Sequence, residues 1–150
     1  MKSLAASLLL WISANSAYDY QGPPPDVRTT DTENLVYLVL GEIPRMPQRA
    51  LSAIRGTYIV DTKTIWLRED FNANDPENVA HLVHELVHFI QYYEADTKDK
   101  TLPCGRELER EAYEIQNKFL LANDRPGLEH KLVQFSKGLS GCNKDDESPA

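Results

Sequence analysis

The stretch His81-Leu82-Val83-His84-Glu85-Leu86-Val87-His88-Phe89-Ile90-Gln91 decides how the rest of the chain is read. At about 100° per residue, His81, His84, Glu85 and His88 fall on one arc of a helix. Leu82, Val83, Leu86, Phe89 and Ile90 fall on the opposite arc. The segment therefore predicts a helix that packs by its apolar side and presents imidazoles and a carboxylate on the other. His84 and His88 lie one turn apart, so both rings can reach a single cation. Glu85 lies near the same face, placed to take a proton from a water without itself being a ligand. The spacing HExxH arises by composition alone on the order of once in a few hundred chains of this length. The bland alternative is a set of solvated polar residues on an amphipathic helix, so the setting of the motif has to decide.

That setting is a well-punctuated helix. Asp75 is an N-cap with Pro76 at the first helical position, and the helix is predicted to run to about Asp96. Before it, residues 57–67 (TYIVDTKTIWL) are β-branched and aromatic around a polar centre of Asp61, Thr62 and Lys63, which predicts a β-hairpin. Residues 34–40 (NLVYLVL) fit helix or strand. The capping residues Asp31 and Thr32 and the terminator Gly41 favour helix. A short helix over 47–55 would bury Leu51 and Ile54. After the polar stretch 97–103 a helix is predicted over about 106–123, then a turn at Pro126 and Gly127. A last amphipathic helix is predicted over about 128–139. The expected fold class is α+β, mostly helical, with a small antiparallel hairpin or sheet beside the HExxH helix, in one domain over 31–142. Residues 18–30, with Gly22 and prolines 23–25, read as a linker or extended lead-in. Residues 143–150 read as a disordered polar tail.

The amino terminus has the form of an export signal over 1–17: Lys2, an apolar run through Ile12, then small residues at Ser13, Ala14, Ser16 and Ala17. Cleavage after Ala14, Ser16 or Ala17 fits, and an uncleaved anchor is the alternative. The run is too short for a comfortable membrane span, and no stable span is expected once the signal is removed. The implied location is periplasmic or secreted. There the two cysteines, Cys104 and Cys142, are expected to pair. The net charge of −7 over 150 residues, with no basic patch, argues against nucleic acid as a partner.

A zinc site needs a third protein ligand. Candidates are Glu94, His81, His130 and the acids of the 106–123 helix. Glu94 stands three residues past Gln91, where a glycine would be needed to turn the chain back. His81 reads better as a residue at the rim of the site. In the later helix the apolar stripe is Leu108, Ala112, Ile115 and Phe119. Glu107, Glu111 and Glu114 fall on the far side, whereas Glu109 borders the stripe in line with Tyr113 and Gln116. Glu109 is thus the acid expected to face inward.

HExxH followed about twenty residues later by a helical Glu-x-x-Ala resembles the gluzincin group of zinc metallopeptidases, in particular its minimal members. The resemblance covers roughly residues 57–123. The Glu-x-Glu-Ala-Tyr wording is also similar to small exported bacterial proteins of unassigned function. The resemblance implies one zinc ion per chain held by His84, His88 and Glu109, with Glu85 as catalytic base acting on a peptide or protein substrate. It also implies that the strand around 65–67 flanks the cleft and pairs with an extended peptide. Many gluzincins carry Asp or Asn after the alanine to orient a ligand histidine; here that residue is Tyr113, which either takes the part or leaves it vacant. Oxyanion stabilisation could come from His81, Tyr92 or Tyr113, and the sequence does not choose. The rival function is a non-catalytic zinc-binding or interaction module on the same scaffold. The sequence leaves the oligomeric state open.

Overall fold

Asp75 lies in extended backbone and its carboxylate accepts from the Glu77 amide at 3.1 Å, while Pro76 occupies the first turn, where no amide donor is needed. The long helix thus starts where the sequence places it. The computed structural model describes residues 1–42, 45 and 51–128. Its elements are α1 (Lys2–Asn15), β1 (Asp26–Thr30), α2 (Thr32–Leu40), β2 (Gly56–Ile59), β3 (Thr64–Arg68), α3 (Pro76–Thr97) and α4 (Gly105–Ala122). This is the expected α+β class.

Helix α3 is the spine. Leu82, Val83, Leu86, Val87 and Ile90 are fully buried, and α3 packs against α1, α4, β2 and β3. The stripe read from α4 is the buried one: Leu108, Ala112, Ile115 and Phe119, joined by Leu120 and Gln116. Helix α2 is capped as read. The Asp31 carboxylate accepts from the Asn34 amide at 2.7 Å, and Gly41 ends the helix at φ 75°, its amide donating to Tyr37 O at 2.7 Å.

The sheet is mixed rather than a lone hairpin. β2 and β3 form the antiparallel pair expected, with Lys63 in the left-handed region at φ 53° at the end of the turn. β1 adds in parallel on the other side of β3, giving the order β1-β3-β2, with Val27 opposite Ile65 and Thr29 opposite Leu67. The segment 18–30 is therefore not only a lead-in, since its last five residues are a strand. A single apolar residue, Val27, within Asp26–Thr30 gives no period-two signal, and the partner strand lies more than thirty residues away.

Residues 2–15, read as part of a removable signal, form α1 in the full chain and enter the core. Ala5 and Ile12 are fully buried, and Leu8 and Leu9 nearly so. Trp11 meets Phe119 of α4 edge to face at 5.2 Å. No helix among the described residues is long and apolar enough to cross a membrane. The helix expected over about 128–139 lies outside the described residues apart from Leu128, as do the polar tail, His130, Cys142 and residues 47–50 of the short helix expected over 47–55; in the described part of that segment Leu51 and Ile54 are half-buried.

Candidate metal centre

Two packed helices assemble the site. α3 delivers His84 and His88 from successive turns, and α4 delivers Glu109 from the boundary of its apolar stripe. Glu109 Oε1 lies 2.6 Å from His88 Nε2, and Oε2 lies 3.3 Å from His84 Nε2. The two Nε2 atoms are 3.1 Å apart. One ligand atom from each of the three residues falls within 4.8 Å of the others. The side chains are 9%, 12% and 28% exposed for His84, His88 and Glu109, so the group is sheltered but open on one side.

These separations suit a small tetrahedral cation. Bonds of about 2.05 Å at tetrahedral angles put ligand atoms roughly 3.3 Å apart, close to the 3.1 and 3.3 Å found. The shorter contact to His88 is a hydrogen bond that a cation would replace. Two imidazoles and a carboxylate form a donor set that suits zinc.

The open side faces a cleft of about 810 Å³. Its floor is α3, with His81, His84, Glu85, His88 and Tyr92; one wall is α4, with Glu109, Tyr113 and Gln116; the other is β2, with Gly56, Thr57 and Tyr58. Here one expectation is corrected. β3, which holds residues 65–67, is paired on both edges and has no edge to offer a peptide. β2 stands between it and the cleft. Gly56 makes this close approach feasible, because a Cβ there would lie 3.0 Å from Leu67 Cδ2, 3.1 Å from Trp66 O and 3.6 Å from Glu85 Cγ. Gly56→Ala is expected to cost about 1–3 kcal/mol by overpacking, because the Trp66 carbonyl is strand backbone that cannot yield without moving β3. Urea unfolding of the two proteins checks it.

His81, one turn before Glu85, lines the cleft; burial, then the charge of Arg55, pushes its pKa down to about 4. It is a neutral imidazole at pH 7. Tyr113 also lines the cleft, its ring 4.5 Å from that of His84. Burial and the nearby Glu109 and Glu85 carboxylates push its pKa up to about 12, so it remains a protonated phenol. Tyr92 sits farther along, beside Tyr58. Glu94, the alternative third ligand, is turned away into ion pairs with Lys98 at 2.8 Å and Lys100 at 3.5 Å.

Sequence reasoning missed three residues. The outer ring nitrogens of both histidines meet glutamines rather than Tyr113: His84 Nδ1 meets Gln116 Oε1 at 2.9 Å, and His88 Nδ1 meets Gln91 Oε1 at 2.8 Å. Glu111, expected on the solvated face, is half-buried and accepts from Gln91 Nε2 at 2.9 Å. Gln116 carried a signal, since it lies in line with Glu109. Gln91 lies three residues after His88, so it shares a face with it.

Electrostatics tie the ligands to pH. Burial opposes a charge on His88, but the hydrogen bond to Glu109 and the charges of Glu85 and Glu109 outweigh it and push the pKa up to about 9. Burial likewise opposes a charge on Glu109, and hydrogen bonds from His84 and His88 outweigh it, holding this carboxyl well below the usual range. The metal-free protein therefore carries a protonated His88 at neutral pH. The stabilisation from that proton is complete below the ordinary histidine value of 6.5 and is lost as pH rises through about 9. A metal must displace the same proton. Metal affinity is thus expected to rise about tenfold per pH unit across that window, while the metal-free protein loses stability across it. Zinc titrations and thermal unfolding at pH 6.5, 7.5 and 8.5 would show the two opposite slopes.

No curated protein matches the chain, and no solved structure does. Over residues 1–149, α1 and the cluster of His84, His88 and Glu109 included, the chain matches the family described as a domain of unknown function, DUF6647, and it belongs to that family.

Proposed function

We propose that the chain is a zinc-dependent peptidase that binds one zinc ion through His84, His88 and Glu109. The observation that carries this reading is the convergence of two Nε2 atoms from the floor of an open cleft and a carboxylate from its α4 wall, with Glu85 beside the histidines on the floor. Held by these three residues, zinc would supply a Lewis acid that lowers the pKa of a water and polarises a carbonyl. Glu85 takes the proton of the attacking water and passes it to the leaving amine. Tyr113, which lines the cleft with its ring 4.5 Å from that of His84, would supply a phenol hydrogen bond to the developing oxyanion. The outer edge of β2 offers backbone groups to an extended substrate, holding it across the floor of the cleft.

The reading includes export and a Cys104–Cys142 disulfide. Cys104 is the N-cap residue of α4, the helix that carries Glu109, so a bridge there would anchor the start of that helix. The amino-terminal sequence of the exported protein tests removal of α1. A terminus at 15–18 supports it, and one at Met1 or Lys2 overturns it. The function itself is tested by incubating zinc-loaded protein with a peptide library. Cleavage that stops on chelation and returns with zinc is expected; intact peptides would overturn the peptidase assignment.

A further inference from the structure

Gln91 is held from three sides. Its Nε2 donates to Leu108 O at 3.0 Å and to Glu111 Oε1 at 2.9 Å, and its Oε1 faces His88 Nδ1 at 2.8 Å. Glu111 is held in turn by the hydroxyl of Tyr18, in the segment just after α1. The chain of contacts thus runs from a ligand histidine of α3, across α4, to the exit of α1.

A side-chain amide has a donor end and an acceptor end. Turned over, the Gln91 amide would set its oxygen against the Leu108 carbonyl and the Glu111 carboxylate, two contacts between acceptors in a buried place. Each unmade hydrogen bond there is costly. The amide orientation is therefore fixed by α4, and its oxygen is committed to His88. An oxygen at that position requires a proton on Nδ1. A neutral imidazole with its proton on Nδ1 has its lone pair on Nε2, the atom that faces His84 and Glu109. Glu111 is no ligand, yet it supplies one of the two acceptors that set this direction.

We propose that Glu111 is a positioning residue for the metal centre: through Gln91, and braced by Tyr18, it fixes His88 in the tautomer that offers Nε2 to the metal. The proposal rests on the zinc reading above. It distinguishes Glu111 from Glu107, which pairs with Arg110 at the helix surface, and from the exposed Glu114.

The test uses the full chain, stripped of metal and titrated with zinc against a chelating dye. In parallel, exchange of the His88 Nδ1 proton is followed by NMR in the zinc-loaded form. Gln91→Met is expected to weaken zinc about 10–100-fold. Glu111→Ala is expected to weaken it about 2–10-fold, the worth of one hydrogen bond, and to speed exchange of the Nδ1 proton. Glu111→Gln, whose amide oxygen still accepts from Gln91, is expected to restore both readouts. Tyr18→Phe shifts both in the direction of Glu111→Ala and keeps the test alive if that variant does not fold. A parent that binds zinc while Glu111→Ala and Tyr18→Phe match it in both readouts overturns the inference alone, and so does a Glu111→Gln no better than Glu111→Ala. A parent that takes up no zinc overturns the metal reading and this inference with it.

Discussion

Glu109→Ala is expected to lose nearly all zinc affinity, a fall larger than the about 10–100-fold typical when a group behind a ligand is removed. Glu107→Ala and Glu114→Ala are expected to stay within about 0.5 kcal/mol of the parent in stability and to keep their zinc. The reason is geometric. Both Glu109 oxygens are engaged, one with each histidine, at 2.6 and 3.3 Å. Glu107 instead pairs with Arg110 along its own helix. Glu109→Gln, which keeps the shape and removes the charge, separates loss of a ligand from loss of packing. It should fold as the parent does and still bind zinc poorly. Zinc titration of the four variants checks this, with circular dichroism confirming the fold. A Glu109→Ala protein that binds zinc like the parent would remove the third ligand from the account.

Glu85→Gln is expected to slow peptide hydrolysis by about 10²–10⁴-fold while zinc stays bound, because general-base catalysis contributes on that scale. Glu85 is absent from the cluster of converging ligand atoms yet lines the same cleft, and its Cγ would lie 3.6 Å from a Cβ at position 56. It is thus held near the centre without being part of it. The amide of glutamine fits the same space but does not take a proton. Turnover measured alongside zinc content separates the two roles. Equal loss of both would make Glu85 a structural support for the ligands. Equal retention of both would take the general-base role away from Glu85, whereas a parent that holds zinc and cleaves no peptide would favour the rival reading of a non-catalytic zinc-binding module.

The legible parts of the molecule were those written in local pattern. The caps of α2 and α3, the apolar arcs of α3 and α4 and the turn of the hairpin depend on residues within a few positions of each other. Glu109 was legible for the same reason, since its place beside the stripe of Leu108, Ala112, Ile115 and Phe119 follows from helical period alone. The unread parts depend on what packs beside an element. β1 is a strand because β3 lies next to it, and β2 rather than β3 flanks the cleft because of the order of strands in the sheet. Glu111 points away from the apolar stripe, which reads as solvent exposure. The segment after α1 closes over that side of α4 with Tyr18, and Gln91 reaches it from α3. A helical wheel shows one helix and cannot show a third body covering its far face. The same holds for α1, whose apolar run has the composition of an export signal and, in the full chain, the packing of a core helix.

The central claim is that His84, His88 and Glu109 hold a zinc ion, and elemental analysis of the purified protein tests it most directly. The account predicts about one zinc per chain after mild purification, removable by chelator and restored on adding zinc. A well-folded protein that comes metal-free and takes up no added zinc would contradict it.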